Sequence, residues 1–571
     1  MLILNHLLIA ACLLLLYPLA SLAQPANRFD IVIDEIFPDP SPAIGLPNSE
    51  FIELRNNSSN PISLRHWKIS DGSSTATINS DFVLEPGAYV IICPNAAAVA
   101  YNQFGNAIGV SNFPSLNNDR DLIVLYSPEG KIIHAIEYAV DWYQNDVKRD
   151  GGWTLEMIDV YNPCGGSNNW KASNDPNGGT PGKINSVNGS NADDLAPALL
   201  RTYTIDSTTI VAVFDESLDS TSAAYASHYK LEKLGTPFTA SPVPPLFSEV
   251  ILQFGSTLSI NTSYQLTVAN IADCAGNLIG IRNTALAAIP VQEKHFDIAI
   301  NEILFNPPPD GYDYIELYNR SNKTIDLQKL YIANKNAAGN LTNSKQISDK
   351  PLLLFPNTYC VISTNIDWLR SHYPLKGHPL YIQLTALPSM PDDKGHIVLI
   401  NFQGEVIDQL QYDSKWHFAL LENEEGVALE RISYNDSTQN RNNWTSAAAT
   451  AGYGTPGYQN SQFRADLQAQ GVVTVSPKIF AAINNEFATI HCQLEEPGYV
   501  INIQIFDDKG RPVRRLTSNT TMGESATFHW DGLDDQRKPL PIGHYIILTE
   551  VFNLQGKTKK YKNVVTLAGK L

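Results

Sequence analysis

One block of strand-like sequence occurs twice in this 571-residue chain, with its order and spacing kept. Phe29-Asp30-Ile31-Val32-Ile33-Asp34-Glu35-Ile36 returns as Phe296-Asp297-Ile298-Ala299-Ile300-Asn301-Glu302-Ile303. Phe51-Ile52-Glu53-Leu54-Arg55-Asn56 returns as Tyr314-Ile315-Glu316-Leu317-Tyr318-Asn319. Downstream, Leu155-Glu156 answers to Leu429-Glu430, Asn168-Asn169-Trp170 to Asn442-Asn443-Trp444, and Gly179-Thr180-Pro181-Gly182 to Gly454-Thr455-Pro456-Gly457. Such self-similarity means one structural unit used twice, so any fold assigned to the chain must hold for both copies.

The physics of the repeated unit is that of short strands. Polar and apolar residues alternate through residues 31–36 and 51–54, and Tyr89-Val90-Ile91-Ile92 and Leu122-Ile123-Val124-Leu125 form further short apolar runs. Breakers stand between them, at Pro38-Asp39-Pro40, Glu85-Pro86-Gly87 and Pro128-Glu129-Gly130, where a two-sheet fold must turn. Neither copy carries a long amphipathic helical period, which disfavours parallel α/β architecture. The expected fold class is all-β, a tandem array of Ig-like β-sandwich domains following a signal peptide. Strict alternation also places the neighbours Asp34 and Glu35 on opposite faces of their strand.

A chain of this length exceeds one hydrophobic core and, at about 150 residues per domain, predicts roughly four units. The organisation read from the chain is a signal peptide at 1–23, a first repeat at 24–188, a distinct unit at 194–291, the second repeat at 292–460 and a terminal unit at 465–571. The leader reading rests on an apolar core from Leu7 to Leu16, then Pro18, then Ser21-Leu22-Ala23, with cleavage expected after Ala23. No other stretch approaches the length of a membrane span, so the mature chain is expected to have no transmembrane segment. Loss of Cys12 with the leader leaves Cys93, Cys164, Cys274, Cys360 and Cys492. Scattered singly, they form neither a disulfide framework nor a zinc site, and buried single thiols are expected, with one long-range pair left open.

The formal net charge of −18 repels phosphate backbones and anionic membrane surfaces, so nucleic acid is a disfavoured partner. Basic residues gather at Lys509, Arg511, Arg514 and Arg515 and at Lys557, Lys559, Lys560 and Lys562. Without an aromatic stacking platform they read as solvated strand and turn faces.

Taken together, the repeated I-x-x-[DN]-E-I, the F/Y-I-E-L-x-N, the turn before a hydrophobic strand, and the closing N-W followed by G-x-T-P-G resemble the bacterial lamin tail domain. That resemblance implies an Ig-like β-sandwich of secreted and surface proteins. Residues 194–291, with Phe214 through Asp219 and the closing Asp273-Cys274-Ala275-Gly276-Asn277, resemble bacterial Ig-like surface modules, which usually act as spacers. Residues 465–571, through Phe528-His529-Trp530-Asp531-Gly532 and Pro541-Ile542-Gly543-His544-Tyr545, resemble the small Ig-like domain of flagellar hook-capping proteins. That domain type also recurs at the end of exported Bacteroidetes proteins, sometimes as a sorting domain.

The chemistry-bearing candidates are the acids Asp34, Glu35 and Glu53, with Glu302 and Glu316 in the second copy. A carboxylate pair serves as general acid and base, binds a hard cation, or accepts hydrogen bonds from turn amides. The third role is expected here, because Asn301 removes an acid from the second copy. Weak calcium candidates are Asp175 and Asn177 in one Asx-rich turn and Asp531 and Asp534 in another, although neither has the register of an EF-hand loop. No nucleophile elbow, zinc-protease helix, dinucleotide fingerprint or phosphate loop is present, and no catalytic or cofactor-binding residue is assigned. His295, His396, His491 and His529 read as ordinary strand residues.

The expected function is that of a non-catalytic exported binding or scaffold protein, extracellular or at the cell surface, in the manner of an adhesin. Its expected partners are protein or polysaccharide at that surface, and no cofactor is expected beyond structural calcium. The alternative is an accessory subunit of a secreted hydrolase system, a nuclease or phosphatase.

Overall fold

The computed structural model describes residues 26–374, 376–377, 379–419, 421–464, 472–482 and 486–569; the expected leader at 1–23 lies outside these described residues. The chain is all-β, and the longest described helix, Ile366–His372, has only seven residues. It divides into two compact units. One runs through Thr257 and takes in Tyr264–Ala287, and the other comprises Leu258–Ser263 and Ala288 onward.

In the first unit the strand Ile31–Phe37 lies inside a six-stranded sheet ordered Trp170–Ala172, Leu155–Met157, Ile31–Phe37, Phe51–Asn56, Tyr89–Pro94, Ala107–Val110. Only the last pairing is parallel, and the short helix Ala98–Tyr101 makes its crossover. A second sheet, ordered Ile132–Ala139, Arg120–Tyr126, Lys68–Ser70, Thr75–Thr77, packs across one face. Ile31, Ile33, Ile36, Ile52, Leu54 and Val90 meet Ile69, Ile123, Leu125, Ile133 and Ile136 there, with Trp67 and Trp170 also buried in that core. Each such side chain stabilises the sandwich by about 1.5–3 kcal/mol through burial, which is what the alternation in the sequence encodes.

The six-stranded sheet is covered on its other face as well. Phe37, Phe51, Ile91 and Cys93 point away from the sandwich core and pack against Tyr101 and Leu46. This doubly buried sheet explains why every residue of Ile31–Phe37 is inaccessible, polar ones included.

The remainder of this unit is a smaller two-sheet body. Leu199–Thr204, Thr209–Phe214, Glu249–Gln253 and Thr239–Pro242 form one sheet, and Tyr229–Leu231, Tyr264–Val268 and Thr284–Ala287 the other. Its D-C-A-G-N turn is held by Asp273, whose Oδ1 accepts the amide protons of Gly276 at 2.7 Å and Asn277 at 2.9 Å. Cys274 in that turn is disulfide-bonded to Cys164 of the repeated sandwich, which fills the one long-range pairing the cysteine spacing left open. Cys93, Cys360 and Cys492 are free and buried, as expected of single thiols.

The second unit repeats the first sandwich strand for strand. Its six-stranded sheet runs Leu380–Gln383, Tyr359–Ser363, Tyr314–Asn319, Ile298–Leu304, Leu429–Arg431, Trp444–Ser446, and its four-stranded sheet Leu341–Gln346, Leu330–Lys335, Lys394–Asn401, Val406–Asp413. The chain then forms a three-stranded and a five-stranded sheet around Trp530, against which Phe480 and Tyr545 pack edge-on.

The repeated asparagines fix turns. Asn56 Nδ2 donates to the carbonyls of Asn60 and Leu84, and Asn319 Nδ2 to those of Lys323 and Leu354. Asn169, before Trp170, accepts from Asp159 N and donates to the carbonyls of Asp159 and Asn162, and Asn443 makes the corresponding set with Ser433 and Asp436. A buried turn whose backbone groups have no ladder partner needs such a side chain.

Candidate functional site

The first strand of each repeat is irregular at one residue. Ile33 pairs with Leu54 and Glu35 with Glu53, so Asp34 is an extra residue, a β-bulge; in the second copy Asn301 is bulged in the same way between Ile300 and Glu302. This corrects the expectation that Asp34 and Glu35 face opposite ways. The inserted residue breaks the period of two, and Asp34 stands on the side of Glu35 and Glu53.

The register then aligns three glutamates side by side. Glu35 is opposite Glu53 on one flank and Glu156 on the other, and Glu302 is opposite Glu316 and Glu430. All six are fully inaccessible, on the face turned away from the sandwich core. Glu156 and Glu430 belong to this site although sequence reasoning did not group them with the other acids. The repeated Leu-Glu pair was the available signal.

What covers the acids is the Thr-Pro-Gly segment. Thr180 donates its amide to Glu35 Oε1 and its hydroxyl to Glu156 Oε1, both at 2.8 Å, and the amide of Gly182 donates to Glu53 Oε2. In the second copy Thr455 N donates to Glu302 Oε1 at 2.8 Å and Gly457 N to Glu316 Oε2 at 2.5 Å. The intervening proline has no amide to satisfy. The glycine is required: Gly457 has φ +98°, and a Cβ there would lie 2.3 Å from the ring of Pro379. The expected acceptance of turn amides by these acids is therefore what the geometry contains.

Carboxyls this deep resist ionisation. Burial, and then the neighbouring glutamate, push Glu302 up to about 8 and raise Glu35, Glu53 and Glu316 well above the usual carboxylate range. Thr455 Oγ1 lies 2.9 Å from Glu302 Oε2 and 2.8 Å from Glu430 Oε1, yet a hydroxyl has a single hydrogen to give. One of the two carboxyls must hold a proton and donate to the threonine oxygen.

The copies differ in chemistry around the bulge. The amide of Ile300, released from the ladder, donates to Asp408 Oδ2 at 2.8 Å, and Asp408 is paired with the inaccessible Arg431 at 3.5 Å. Arg431 Nε also donates to the carbonyl of Ile300 at 2.8 Å. In the first copy His134 takes the place of Asp408 and Met157 that of Arg431, so a neutral imidazole does the work of an ion pair. His134 was not among the histidines picked from the sequence.

The weak calcium candidates sit in turns. Asp175 Oδ1 accepts from the amide of Asn177 at 2.9 Å, and its Oδ2 pairs with Lys183 at 3.1 Å. Asp531 Oδ2 pairs with Arg537 at 3.0 Å, and Asp534 Oδ1 accepts the amides of Gln536 and Lys538, each at 2.8 Å. A different acid group, not anticipated from the sequence, comes together elsewhere: carboxylate oxygens of Asp193, Glu216 and Asp273 lie within 4.8 Å of one another. Burial, and then the negative charges of Asp193, Asp273 and Asp215, push Glu216 up to about 8. Beside the disulfide runs a groove of about 890 Å³, lined by Trp142, Asn168, Trp170, Asp193, Glu216 and Arg282. The terminal basic residues are largely neutralised, Arg511 by Asp507 at 2.8 Å and Lys557 by Glu495 at 2.6 Å.

This ladder of acids under a Thr-Pro-Gly clasp stands in both copies. The lamin tail domain model matches residues 24–139 and 292–414. Each lamin-tail match ends before the third glutamate and the clasp, which complete the sandwich further along the chain. No curated protein matches the chain. Among solved structures it is similar to FlgD from P. aeruginosa at 21% identity, over 18% of this chain and 78% of that one, with a TM-score of 0.14. It is also similar to the bacterial S-layer protein SbsC at 13% identity, over 66% of this chain and 54% of that one (TM-score 0.15), so it spans about half of SbsC. A third is dimeric latent PorU from Porphyromonas gingivalis, at 10% identity over 78% of this chain and 40% of that one, with a TM-score of 0.15. No helix among the described residues is long and apolar enough to cross a membrane.

Proposed function

We propose that this is an exported, non-catalytic scaffold or binding protein of the cell surface or extracellular space. In this reading two lamin-tail sandwiches at 24–188 and 292–460 display loops and edge strands, while the Ig-like units at 194–291 and 465–571 space and terminate them. The observation that carries it is the burial of all six repeated glutamates beneath the chain's own Thr-Pro-Gly segments. Carboxylates that could act on a substrate must reach one, and these are spent on the clasp. The Cys164–Cys274 bond supports export, because disulfides persist in oxidising compartments. The net charge of −18 supports a protein or polysaccharide partner over nucleic acid.

The test is a pull-down from the native cell envelope with the full chain as bait, alongside a metal-supplemented assay on DNA, phosphoesters and polysaccharides. Capture of a surface protein or glycan with no turnover is the expected result. Robust turnover by the purified chain, or an envelope that yields no partner, overturns it.

A further inference from the structure

The two sandwiches differ at the bulged residue beside the acid ladder, and the difference has chemical content. In the second copy the bulged Asn301 gives the hydrogens of Nδ2 to Glu316 Oε1 and to Asn460 Oδ1, each at 2.7 Å. In the first copy the bulged residue is Asp34, which has no hydrogen to give when ionised. Asp34 Oδ1 and Oδ2, Glu35 Oε2 and Glu53 Oε1 are all buried and have no hydrogen-bond partner among the described residues.

We propose that Asp34 and Glu53 share a proton that stands where the second copy has the Asn301 amide, and that losing it as the solution is brought up from acid loosens the first sandwich's clasp. The neutral Asp34 carboxyl donates its O–H to Glu53 Oε1. When the proton leaves for solvent, two carboxylates face each other in a dry site with no donor between them, and the strand that holds Gly182 through Glu53 is strained apart from its neighbour.

The groups facing Asp34 leave no other source of compensation. Glu35 adjoins it on its own strand, Glu53 and Arg55 on the strand at one flank, Glu156 on the strand at the other flank, and Tyr89 on Tyr89–Pro94. Arg55, the nearest cation, lies over the ring of Tyr89 at 5.2 Å and forms no ion pair within 4.0 Å among the described residues. Burial pushes Asp34 up to about 7, against the attraction of Arg55, and Glu53 well above its ordinary value. A folded-state value raised above the unfolded one gives stability that is whole in acid and lost as pH rises through about 7.

The experiment is hydrogen exchange with mass spectrometry on the full chain from pH 4 to 8, corrected for intrinsic exchange. Peptides covering residues 51–56 and 179–185 report the first copy, and those covering 314–319 and 454–460 the second. The raised glutamates link opening to pH in both copies; Asp34 is expected to make the first copy's opening constant rise more steeply, by up to a further tenfold per pH unit until about pH 7 and by nothing more above it. Asp34→Asn should remove that excess slope, and the reciprocal Asn301→Asp should add one to the second copy, so a poorly folding first variant leaves the second as a test. An unchanged slope in either variant that folds overturns the proposal. So does protection of the first copy by added calcium, because a bound cation would then hold the pair in place of a proton.

Discussion

His134 Nδ1 accepts the amide proton of Ile33 at 2.8 Å, while its Nε2 lies 2.9 Å from the carbonyl oxygen of Pro163. Both bonds hold together only in the neutral ring with its hydrogen on Nε2. Burial lowers this group from 6.5 to about 4. The unfolded chain therefore takes up a proton that the folded one refuses. The stability contributed is whole above pH 6.5 and lost as pH falls toward 4, by about 3 kcal/mol. Urea unfolding of the wild type and His134→Asn at pH 7 and 4.5 should show their stability gap narrowing in acid; a constant gap contradicts the assignment.

Arg431 and Asp408 offer the converse case. Replacing Arg431 by methionine, the residue of the first copy, leaves Asp408 buried without its cation and should cost about 3–5 kcal/mol. Adding Asp408→His to Arg431→Met recreates the first copy's arrangement and should recover most of that loss. Denaturant midpoints of the two singles and the double give the coupling directly, and strict additivity would disprove it.

Thr455 serves two carboxyls through one oxygen. Thr455→Val keeps the shape and removes the oxygen, leaving acceptors and a carboxyl proton unpaired, and should destabilise the second sandwich by about 2–4 kcal/mol. Thr455→Ser restores the hydroxyl and should return all but about 1 kcal/mol of that loss. Equal effects of valine and serine in thermal unfolding would remove the hydroxyl from the account.

Breaking the Cys164–Cys274 bond opens a loop with a sequence separation of 110 residues. Cys164→Ser with Cys274→Ser should lower the stability of the first unit by up to about 4–5 kcal/mol through the entropy regained by the unfolded chain. Calorimetry with and without reductant should show the same shift in the wild type and none in the double variant.

The duplicated sandwich is plain in the sequence because its motifs are strand cores and turn-fixing asparagines, which any copy must keep to fold. The acid site is only partly readable. Glu35, Glu53, Glu302 and Glu316 stand in the repeated strands, but Glu156 and Glu430 reach them through pairings more than a hundred residues distant, which local pattern does not encode. The bulge is hidden for another reason: Asp34 and Asn301 look like ordinary alternating positions, and only the register reveals the extra residue. His134 is concealed because its counterpart is Asp408. Comparing the copies by residue type discards a position whose shared task is to accept one amide hydrogen.

The disulfide also decides how this chain would carry load. Tension applied at its ends would pass from Cys164 to Cys274 through two sulfur atoms, and the chain between them would bear none of it. Roughly 370 Å of potential extension would be locked away as slack, to be paid out only when the bond is reduced. A tether built this way would keep its reach short in an oxidising medium and lengthen in a reducing one.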